Sequence, residues 1–572
     1  MPRFEFVTSK SYCTPNITFN MSRCLQVWFS SRSDSPVAMA IVGLLVLLVV
    51  AVTWPAHAQQ VGGQPGQPSF DVLEFAVEGN VQLSDAAIER AVMPYLGLGK
   101  TLKDVEAART ALEGAYHEAG FLTVVVSIPE QKVDDGNVIL RVVEGKVERL
   151  RVKGAEYHAA SDIKRSLPAL AEGNVPYFPD VQRQLDVVNR TADLVATPVL
   201  KAGRLPGTVD VTLDVDDKLP LHGSVELNNR QSPGTDPLRL SASVRYDNLW
   251  QARHSLSLTA QTAPQAPDQI KVFAANYVLP VGKNGDSLAL YTVHSSSNVP
   301  GPTSVLNNSN IAGVRWALAL PGASNYSQSL NVGLDYKNIQ PVTGLVGGTL
   351  ATTLQPAITY VPLVASYNAA WLRSGGTTTM DGVATLGMRG LFGNSDDRFN
   401  AKRPGASAQF ASLRSGVQLT QTVSRWTLSG RAEVQLASGM LLPNEQYAAG
   451  GVDNVRGYQE SEQVGDRAYR LSLEVRTPGV QLGSDAWPLR LTGITFFDTA
   501  RLTSLQYDPV NAVNLPSLVN TLRGAGFGLR LAGPKGVSLD LDVARAFTAG
   551  GSGSINTRQG DYRVHTRLVW SY

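Results

Sequence analysis

The amino-acid sequence predicts a mainly β protein, a 16-stranded transmembrane β-barrel preceded by two small βααββ units. Residues 70–217 contain two stretches that each read strand, helix, helix, strand, strand. Beyond Lys218 helical periodicity ends, and short runs of alternating apolar and polar residues continue to Tyr572. Clusters of Gly, Pro, Asn, Asp and Ser separate these runs, as turns separate the strands of a membrane barrel.

Composition favours a surface that faces lipid. Charged residues make up 17% of the 572 residues, against roughly 25% in an ordinary soluble domain. The formal net charge is only +2, so bulk electrostatics give no support to a nucleic-acid partner. We therefore expect lipid around the barrel and no nucleic acid among its partners.

Residues 1–58 have the organisation of a signal peptide with an extended n-region. Val37–Val52 is almost continuously apolar, and an A-x-A cleavage signal follows at residues 56–58. An N-terminal membrane anchor is the alternative, which the shortness of the apolar run disfavours. Cys13 and Cys24 lie in the part that would be removed, so we expect a mature chain without cysteine. Export and a barrel together predict the bacterial outer membrane.

A Gln/Gly/Pro linker at residues 59–69 leads to the first βααββ unit, expected over residues 70–146. Thr101 and Asp104 form the capping box of its second helix. The apolar side chains of that helix recur at helical spacing: Leu102, Val105, Ala108, Leu112 and Tyr116.

The same order of elements repeats over residues 147–217, and the barrel is expected over residues 218–572. Asp214, Asp216 and Asp217 end the second unit. Because calcium loops space their carboxylates differently, we expect a solvated turn here and no metal.

The end of the chain illustrates how one strand can serve a barrel. Its apolar face reads Tyr562, Val564, Leu568, Trp570 and Tyr572, and its polar face reads Arg563, His565 and Arg567. A two-layer sandwich also produces such alternation. Two features favour the barrel: a water-filled lumen would accept the arginines, and aromatic residues near the strand ends are typical of a lipid–water interface. We expect Trp570 and Tyr572 to form a C-terminal insertion signal and His565 to face the lumen.

These features resemble the outer-membrane transporters of two-partner secretion, the ShlB/FhaC/HecB haemolysin secretion/activation proteins of the BamA-like superfamily. The resemblance implies two periplasmic POTRA domains and a 16-stranded pore. The landmarks of the first POTRA domain are EGN at 78–80, PYLG at 94–97, IPEQ at 128–131, DG at 135–136 and VVEG at 142–145.

Two barrel motifs of the superfamily carry the resemblance further. The loop motif VRGY stands within residues 441–467 as Val455, Arg456, Gly457 and Tyr458. The wall motif Phe-x-Asp-x-Gly begins with Phe496 and Asp498, but Ala500 replaces its glycine, which leaves tight backbone packing there in question. The resemblance implies that the loop folds into the lumen and that Arg456 pairs with Asp498 on the barrel wall.

The resemblance also implies a function. The protein would secrete a large partner exoprotein, with activation of that partner left open. The POTRA domains would recognise the unfolded client, and the barrel would pass it outward after the barrel assembly machinery had inserted it in outer-membrane lipid. No catalytic, nucleotide-binding or metal-ligand motif stands in the mature sequence, so we expect no enzyme and no cofactor.

Two other functions remain open from the sequence. A barrel assembly or insertase protein of the same superfamily would insert other barrels, although such proteins usually carry three or five POTRA domains. A general porin or receptor would leave the 160 residues before the barrel unexplained.

Overall fold

The computed structural model describes residues 69–133, 135–282, 285–299, 303–346, 353–485, 487–551 and 553–572. The expected signal peptide, and the expected linker up to residue 68, lie outside the described residues. No helix within these ranges is both long enough and apolar enough to cross a membrane.

The first unit is a three-stranded sheet covered by two helices. Strand β2 lies parallel to β5, which pairs antiparallel with β4, and β1 pairs separately with β3. Helix α2 begins at the predicted capping box and buries Val105, Ala108, Leu112 and Tyr116. Leu102, expected on the same face, is exposed, so the buried face of the helix begins at Val105. The elements are β1 (Phe70–Val72), β2 (Glu74–Glu78), α1 (Asp85–Val92), β3 (Gly97–Lys100), α2 (Leu102–Glu118), β4 (Val124–Ser127) and β5 (Asn137–Glu144).

The second unit repeats this arrangement with its own apolar core. Strand β6 lies parallel to β8, and β7 pairs antiparallel with β8 at the sheet edge. The helices bury Ile163, Val181 and Leu185 against the sheet. The elements are β6 (Lys146–Lys153), α3 (Ala160–Arg165), α4 (Phe178–Val188), β7 (Leu194–Ala202) and β8 (Thr208–Asp217).

Asp217 overturns one expectation from the sequence. It is the last residue of β8, not part of a solvated turn, and its side chain is buried. Its Oδ2 accepts the backbone N–H groups of Glu156, Tyr157 and His158 at 2.8 Å each, and its Oδ1 lies 2.7 Å from His158 Nδ1. Burial alone would raise the pKa of the Asp217 carboxyl, but these hydrogen bonds outweigh it and lower that pKa. The carboxylate thus holds the segment that leads into α3.

The same segment joins the second unit to the barrel. The carbonyl of Tyr157 accepts hydrogen bonds from the side-chain amides of Asn248 and Gln251, at 3.1 and 3.0 Å. Gln251 also accepts the N–H of Ala159 at 2.9 Å. The turn between β10 and β11 thus donates hydrogen bonds to this segment and also accepts one from it. These bonds dock the second unit against the end of the barrel.

Residues 221–571 form a closed barrel of 16 strands, which confirms the predicted fold class. Fifteen of the 16 barrel strands are single elements: β9–β15, β19–β22 and β27–β30. The remaining barrel strand consists of β25 and its continuation β26. The short strands β16–β18 extend the sheet beside β14 and β15. The last strand pairs with the first, from Arg567–Asn228 to Ser571–Ser224. Closure leaves no strand edge exposed to lipid.

The barrel strands have the following bounds: β9 (Leu221–Asn228), β10 (Arg239–Leu249), β11 (His254–Thr262), β12 (Ile270–Val281), β13 (Asp286–Val299), β14 (Thr303–Ala319), β15 (Tyr326–Ile339), β16 (Val342–Val346), β17 (Thr353–Gln355), β18 (Ile358–Tyr360), β19 (Leu363–Arg373), β20 (Gly376–Leu386), β21 (Ala411–Val423), β22 (Trp426–Ala437), β25 (Arg467–Arg476), β26 (Val480–Ser484), β27 (Trp487–Asp508), β28 (Val513–Ala532), β29 (Val537–Ala546) and β30 (Tyr562–Ser571). A short helix, α5 (Asp396–Lys402), lies between β20 and β21, and the short strands β23 (Tyr447–Ala449) and β24 (Gln463–Gly465) lie between β22 and β25.

We name the barrel end at which β9 begins the near end, and the opposite end the far end. All six tryptophans that follow residue 58 lie at the near end, either in a turn or within three residues of a strand terminus. Amphipathic indole rings favour the boundary between lipid and water, so these residues mark one membrane interface: Trp250, Trp316, Trp371, Trp426, Trp487 and Trp570.

Removal of residues 570–572 should reduce the amount of folded barrel in the membrane. Tyr572 and Gly223 exchange backbone hydrogen bonds of 2.8 and 3.2 Å, and Trp570 pairs with Val225. Truncation therefore opens the closing seam and deletes an interfacial aromatic. The folded fraction is measured by the heat-modifiable band in electrophoresis. Tyr572→Phe keeps the backbone pairing and should behave as wild type, whereas normal folding of the truncated chain would refute the role given to this end.

Candidate functional site

The loop between β22 and β25 turns back from the far end into the barrel lumen. Its motif residues Val455 and Tyr458 are fully buried, although the loop belongs to no barrel strand. They pack with Ala500 of the wall in one apolar cluster. Ala500 itself is fully buried there, so the methyl group that replaces the superfamily glycine is accommodated.

Arg456 and Asp498 lie in direct contact. Arg456 Nε is 2.7 Å from Asp498 Oδ2, and Nη2 is 2.9 Å from Oδ1, which gives a bidentate pair. The backbone N–H of Arg456 also donates to Oδ2, at 3.2 Å. Both side chains are almost completely buried, at 6% and 0% exposure. Such a planar fork fixes orientation as well as distance.

Two further wall groups complete this contact. Arg456 Nη1 donates to Glu474 Oε2 at 2.9 Å, and Ser472 Oγ donates to Asp498 Oδ1 at 2.6 Å. The guanidinium carbon lies 3.5 Å from the centroid of the Phe496 ring, a cation–π contact. Arg456 is therefore held on three sides by β25 and β27, with two carboxylates to balance its charge.

The backbone next to Arg456 approaches the opposite strands closely. Gly457 has φ +97°, which favours glycine, and its N–H donates to His565 Nε2 at 3.0 Å. A Cβ added to Gly524 on β28 would collide with the carbonyl of Arg456. His565 does face the interior, as expected, and serves there as an acceptor for the loop.

Additional contacts hold the middle of the loop and its C-terminal end. Arg470 donates to the carbonyls of Asp453 and Asn454, at 2.7 and 3.0 Å, and to Glu433 at 2.8 Å. Asp466, which is completely buried, accepts hydrogen bonds from Arg403. Tyr458 Oη donates to the Thr548 carbonyl at 2.7 Å. The loop is thus fixed to the wall along its length, with Arg456 near its middle.

The structure brings the loop motif and the wall motif together and places the C-terminal residues elsewhere. Trp570 and Tyr572 lie at the near end with exposed side chains, on the outside of the barrel. Sequence reasoning did not assign Ser472, Glu474, His565 and Gly524 to the loop site. Alternation along their strands indicates the inward position of the first three, but no local signal shows which loop they meet.

A group of side chains that could bind a metal ion lies outside this site. Among the described residues, the one group of imidazole and carboxylate atoms spaced for an ion consists of Asp193, His222 and Asp247, at the near end.

Comparisons with known proteins agree with this geometry. A family model described as haemolysin secretion/activation protein ShlB/FhaC/HecB matches residues 207–531, and one described as POTRA domain, ShlB-type, matches residues 70–145. The outer membrane transporter CdiB of Escherichia coli O6:K15:H31 (strain 536 / UPEC) is 24% identical over 502 residues, which cover 84% of this chain and 79% of that relative.

Solved structures show the same fold. CdiB from Escherichia coli superposes with a TM-score of 0.64 at 19% identity, covering 95% of this chain and 100% of that one. BamA from Haemophilus ducreyi lacking POTRA domains 1–3 gives a TM-score of 0.51 at 13% identity, covering 88% of this chain and 100% of that one.

The Arg456–Asp498 pair should be required to keep the loop on the wall. A cysteine introduced at the buried position Val455 would be the only one in the expected mature chain, and it should resist a water-soluble maleimide. Arg456→Ala or Asp498→Ala should each raise its labelling rate by roughly tenfold or more, since breaking a buried pair costs up to about 3–5 kcal/mol.

The double variant should label no faster than either single variant, because residues that act through each other are not additive. Arg456→Lys should restore little protection, since an ammonium group lacks the planar fork. Arg567→Ala is the matched control: it removes a lumen arginine that pairs with Glu226 at 2.9 Å and leaves the loop contacts intact. Additive rates in the double variant would contradict the pairing as the source of protection.

Proposed function

The chain belongs to the ShlB/FhaC/HecB family of haemolysin secretion/activation proteins, and we propose a route by which it passes its secreted partner across the outer membrane. It is an outer-membrane transporter of two-partner secretion, so that partner is an exoprotein. In this proposal POTRA domains at residues 70–146 and 147–217 receive the unfolded client, and the barrel at residues 218–572 conducts it outward.

The edge of the first POTRA sheet is already covered by its own helix. Glu113 Oε2 accepts the N–H of Val126 at 3.0 Å, and Arg109 Nη1 donates to the Val126 carbonyl at 3.3 Å. His117 Nε2 lies 3.1 Å from the carbonyl of Val124. A client strand would have to displace these side chains before it could pair with β4.

The second POTRA domain covers one sheet edge and leaves part of the other open. On β6, Val147 N–H donates to the Asn174 carbonyl at 2.9 Å, and Leu150 N–H donates to Glu172 Oε1 at 3.1 Å. On β7, the side chain of Asn189 covers Ala196, at 2.7 and 3.1 Å, and no other described side chain bonds the outward backbone of this strand.

The outward groups of β7 alternate along the strand. Ala196 bonds outward to Asn189, so Pro198 and Leu200 also face away from β8. Pro198 has no N–H to offer, whereas Leu200 directs both its N–H and its C=O outward, and no side chain covers it in the part of the chain that the structure describes. An extended polypeptide can add to such an edge through backbone bonds, which tolerate varied client side chains. This open edge is the observation that carries the proposal.

Inside the barrel, the loop with Val455, Arg456, Gly457 and Tyr458 is the element that the client must pass. The loop could adopt many conformations, and the pair of Arg456 with Asp498 would hold it in one of them. We propose that transport needs this arrangement. The sequence contains no P-loop. In this route, net movement would therefore come from folding of the client outside the cell and not from nucleotide hydrolysis by this chain.

Leu200→Pro should reduce export without unfolding the domain. Proline removes the outward N–H, and proline is tolerated at an edge strand when its nitrogen faces away from the neighbouring strand. Leu200→Ala is the matched control, because it keeps the N–H and shortens only the side chain. Secreted exoprotein in the medium is compared with heat-modifiable barrel in the membrane. Export by the proline variant equal to that of the alanine variant would remove β7 pairing from the mechanism.

Arg456→Ala and Asp498→Ala should each leave a barrel of normal abundance and lower export to roughly a fifth or less, since each disrupts a buried pair that fixes the loop. The double variant should export no less than either single variant. The medium is assayed for the exoprotein, with Arg567→Ala as the lumen control. Normal export by Arg456→Ala would exclude the loop anchor from transport.

A further inference from the structure

Three side chains with metal-ligating atoms meet where the second POTRA domain joins the barrel. Asp193 belongs to the segment between α4 and β7, His222 to β9 and Asp247 to β10. His222 Nε2 lies 2.8 Å from Asp193 Oδ2 and 3.4 Å from Asp247 Oδ2. One ligand atom from each residue lies within 4.8 Å of the other two.

The backbone holds these three residues in place without help from an ion. The carbonyl of Asp193 accepts the N–H of Lys218 at 2.8 Å, and the N–H of Asp247 donates to the Pro220 carbonyl at 2.9 Å. His222 lies opposite Arg245 in the β9–β10 ladder. The group is therefore preorganised, which lowers the entropy cost of binding a ligand.

We propose that Asp193, His222 and Asp247 bind one Zn²⁺ ion that links the second POTRA domain to the barrel. Zinc takes nitrogen and carboxylate oxygen ligands at about 2.0–2.2 Å, which puts tetrahedral ligand atoms roughly 3.3–3.5 Å apart. The observed spacings lie around that value, so small side-chain rotations suffice. An imidazole ligand favours zinc over calcium or magnesium, which prefer oxygen.

The surroundings of the carboxylates resemble the outer shell of a metal site. Ser255 Oγ donates to Asp247 Oδ1 at 2.5 Å, and Arg245 Nε donates to Oδ2 at 2.8 Å. These bonds orient the carboxylate, as outer-shell partners orient metal ligands. The two aspartate side chains are nearly buried, at 9% and 10% exposure, whereas His222 is 33% exposed. Solvent can thus reach His222, and a water molecule would complete the four ligands of a bound ion.

Charge also favours a divalent cation here. Two carboxylates face Nε2 of His222, and Arg245 is the one cation bonded to either of them among the described contacts. Zinc would replace the proton that Nε2 donates to Asp193 and would attract both carboxylates at once. Because Asp193 lies on the POTRA domain and the other two ligands lie on barrel strands, the ion would act as a link across the joint.

Zinc binding is tested on the full mature chain in detergent, purified without a histidine tag and stripped of metal with a chelator. Isothermal titration with Zn²⁺ should show one saturable site. Co²⁺ added to the same protein should give the visible absorption of a four-coordinate complex. His222→Gln keeps a hydrogen-bond donor for Asp193 but loses the nitrogen ligand, so Zn²⁺ affinity should fall at least about tenfold.

Asp193→Asn gives an independent second variant with the same expected loss. His294→Gln is the matched control, because it removes an exposed barrel histidine that bonds Asn310 and lies apart from the site. The heat-modifiable band shows that each variant is folded. Absence of saturable Zn²⁺ binding to the wild-type chain would overturn the proposal, as would equal affinity in wild type, His222→Gln and Asp193→Asn.

Discussion

Closure of the sheet is the constraint on which the rest of this structure depends. Lipid offers no partner to a backbone N–H or C=O, so a β protein in a membrane must pair its last strand with its first. Here β30 meets β9, and the backbone of Tyr572 continues the seam to Gly223. A closed sheet of 16 strands necessarily encloses a wide space. Such a space can hold water, side chains or a loop, and in this barrel the loop between β22 and β25 is held in it.

The loop is held by buried charge, which makes its anchor both specific and vulnerable. Burying the Arg456 guanidinium costs desolvation energy, and the bidentate bond to Asp498, the second bond to Glu474 and the contact with Phe496 offset that cost. An apolar anchor of the same volume would fill the space without selecting one loop position. A planar fork on a fixed strand selects both distance and angle. Loss of Arg456 removes the cation that neutralises the buried Asp498, and loss of Asp498 leaves Arg456 with Glu474 alone to balance its charge.

Local patterns in the sequence predicted the elements, and the family resemblance implied the central pair, whereas groupings made by tertiary structure were missed. Alternation predicted the strands, the capping box predicted α2, and the two barrel motifs brought Arg456 and Asp498 together through a resemblance to known proteins. Gly524 and His565 meet the loop from strands far along the chain, so their spacing carries no signal. Asp217 was assigned wrongly because three acidic residues within four positions resemble a solvated turn, although its partners lie about 60 residues earlier.

In the proposed route, the joint between the second POTRA domain and the barrel would set the position of the β7 edge relative to the pore. Tyr157 and Ala159 are bonded to the turn that contains Gln251, and Asp217 holds the same segment from within the domain. A domain docked by several bonds presents its edge at a fixed angle to the near end, so a client that adds to β7 would start from a defined position. Backbone pairing alone gives no direction, because each bond made on entry must be broken on departure. In the proposed route, direction would therefore arise from a difference in free energy between the unfolded client at the near end and the folded client beyond the far end.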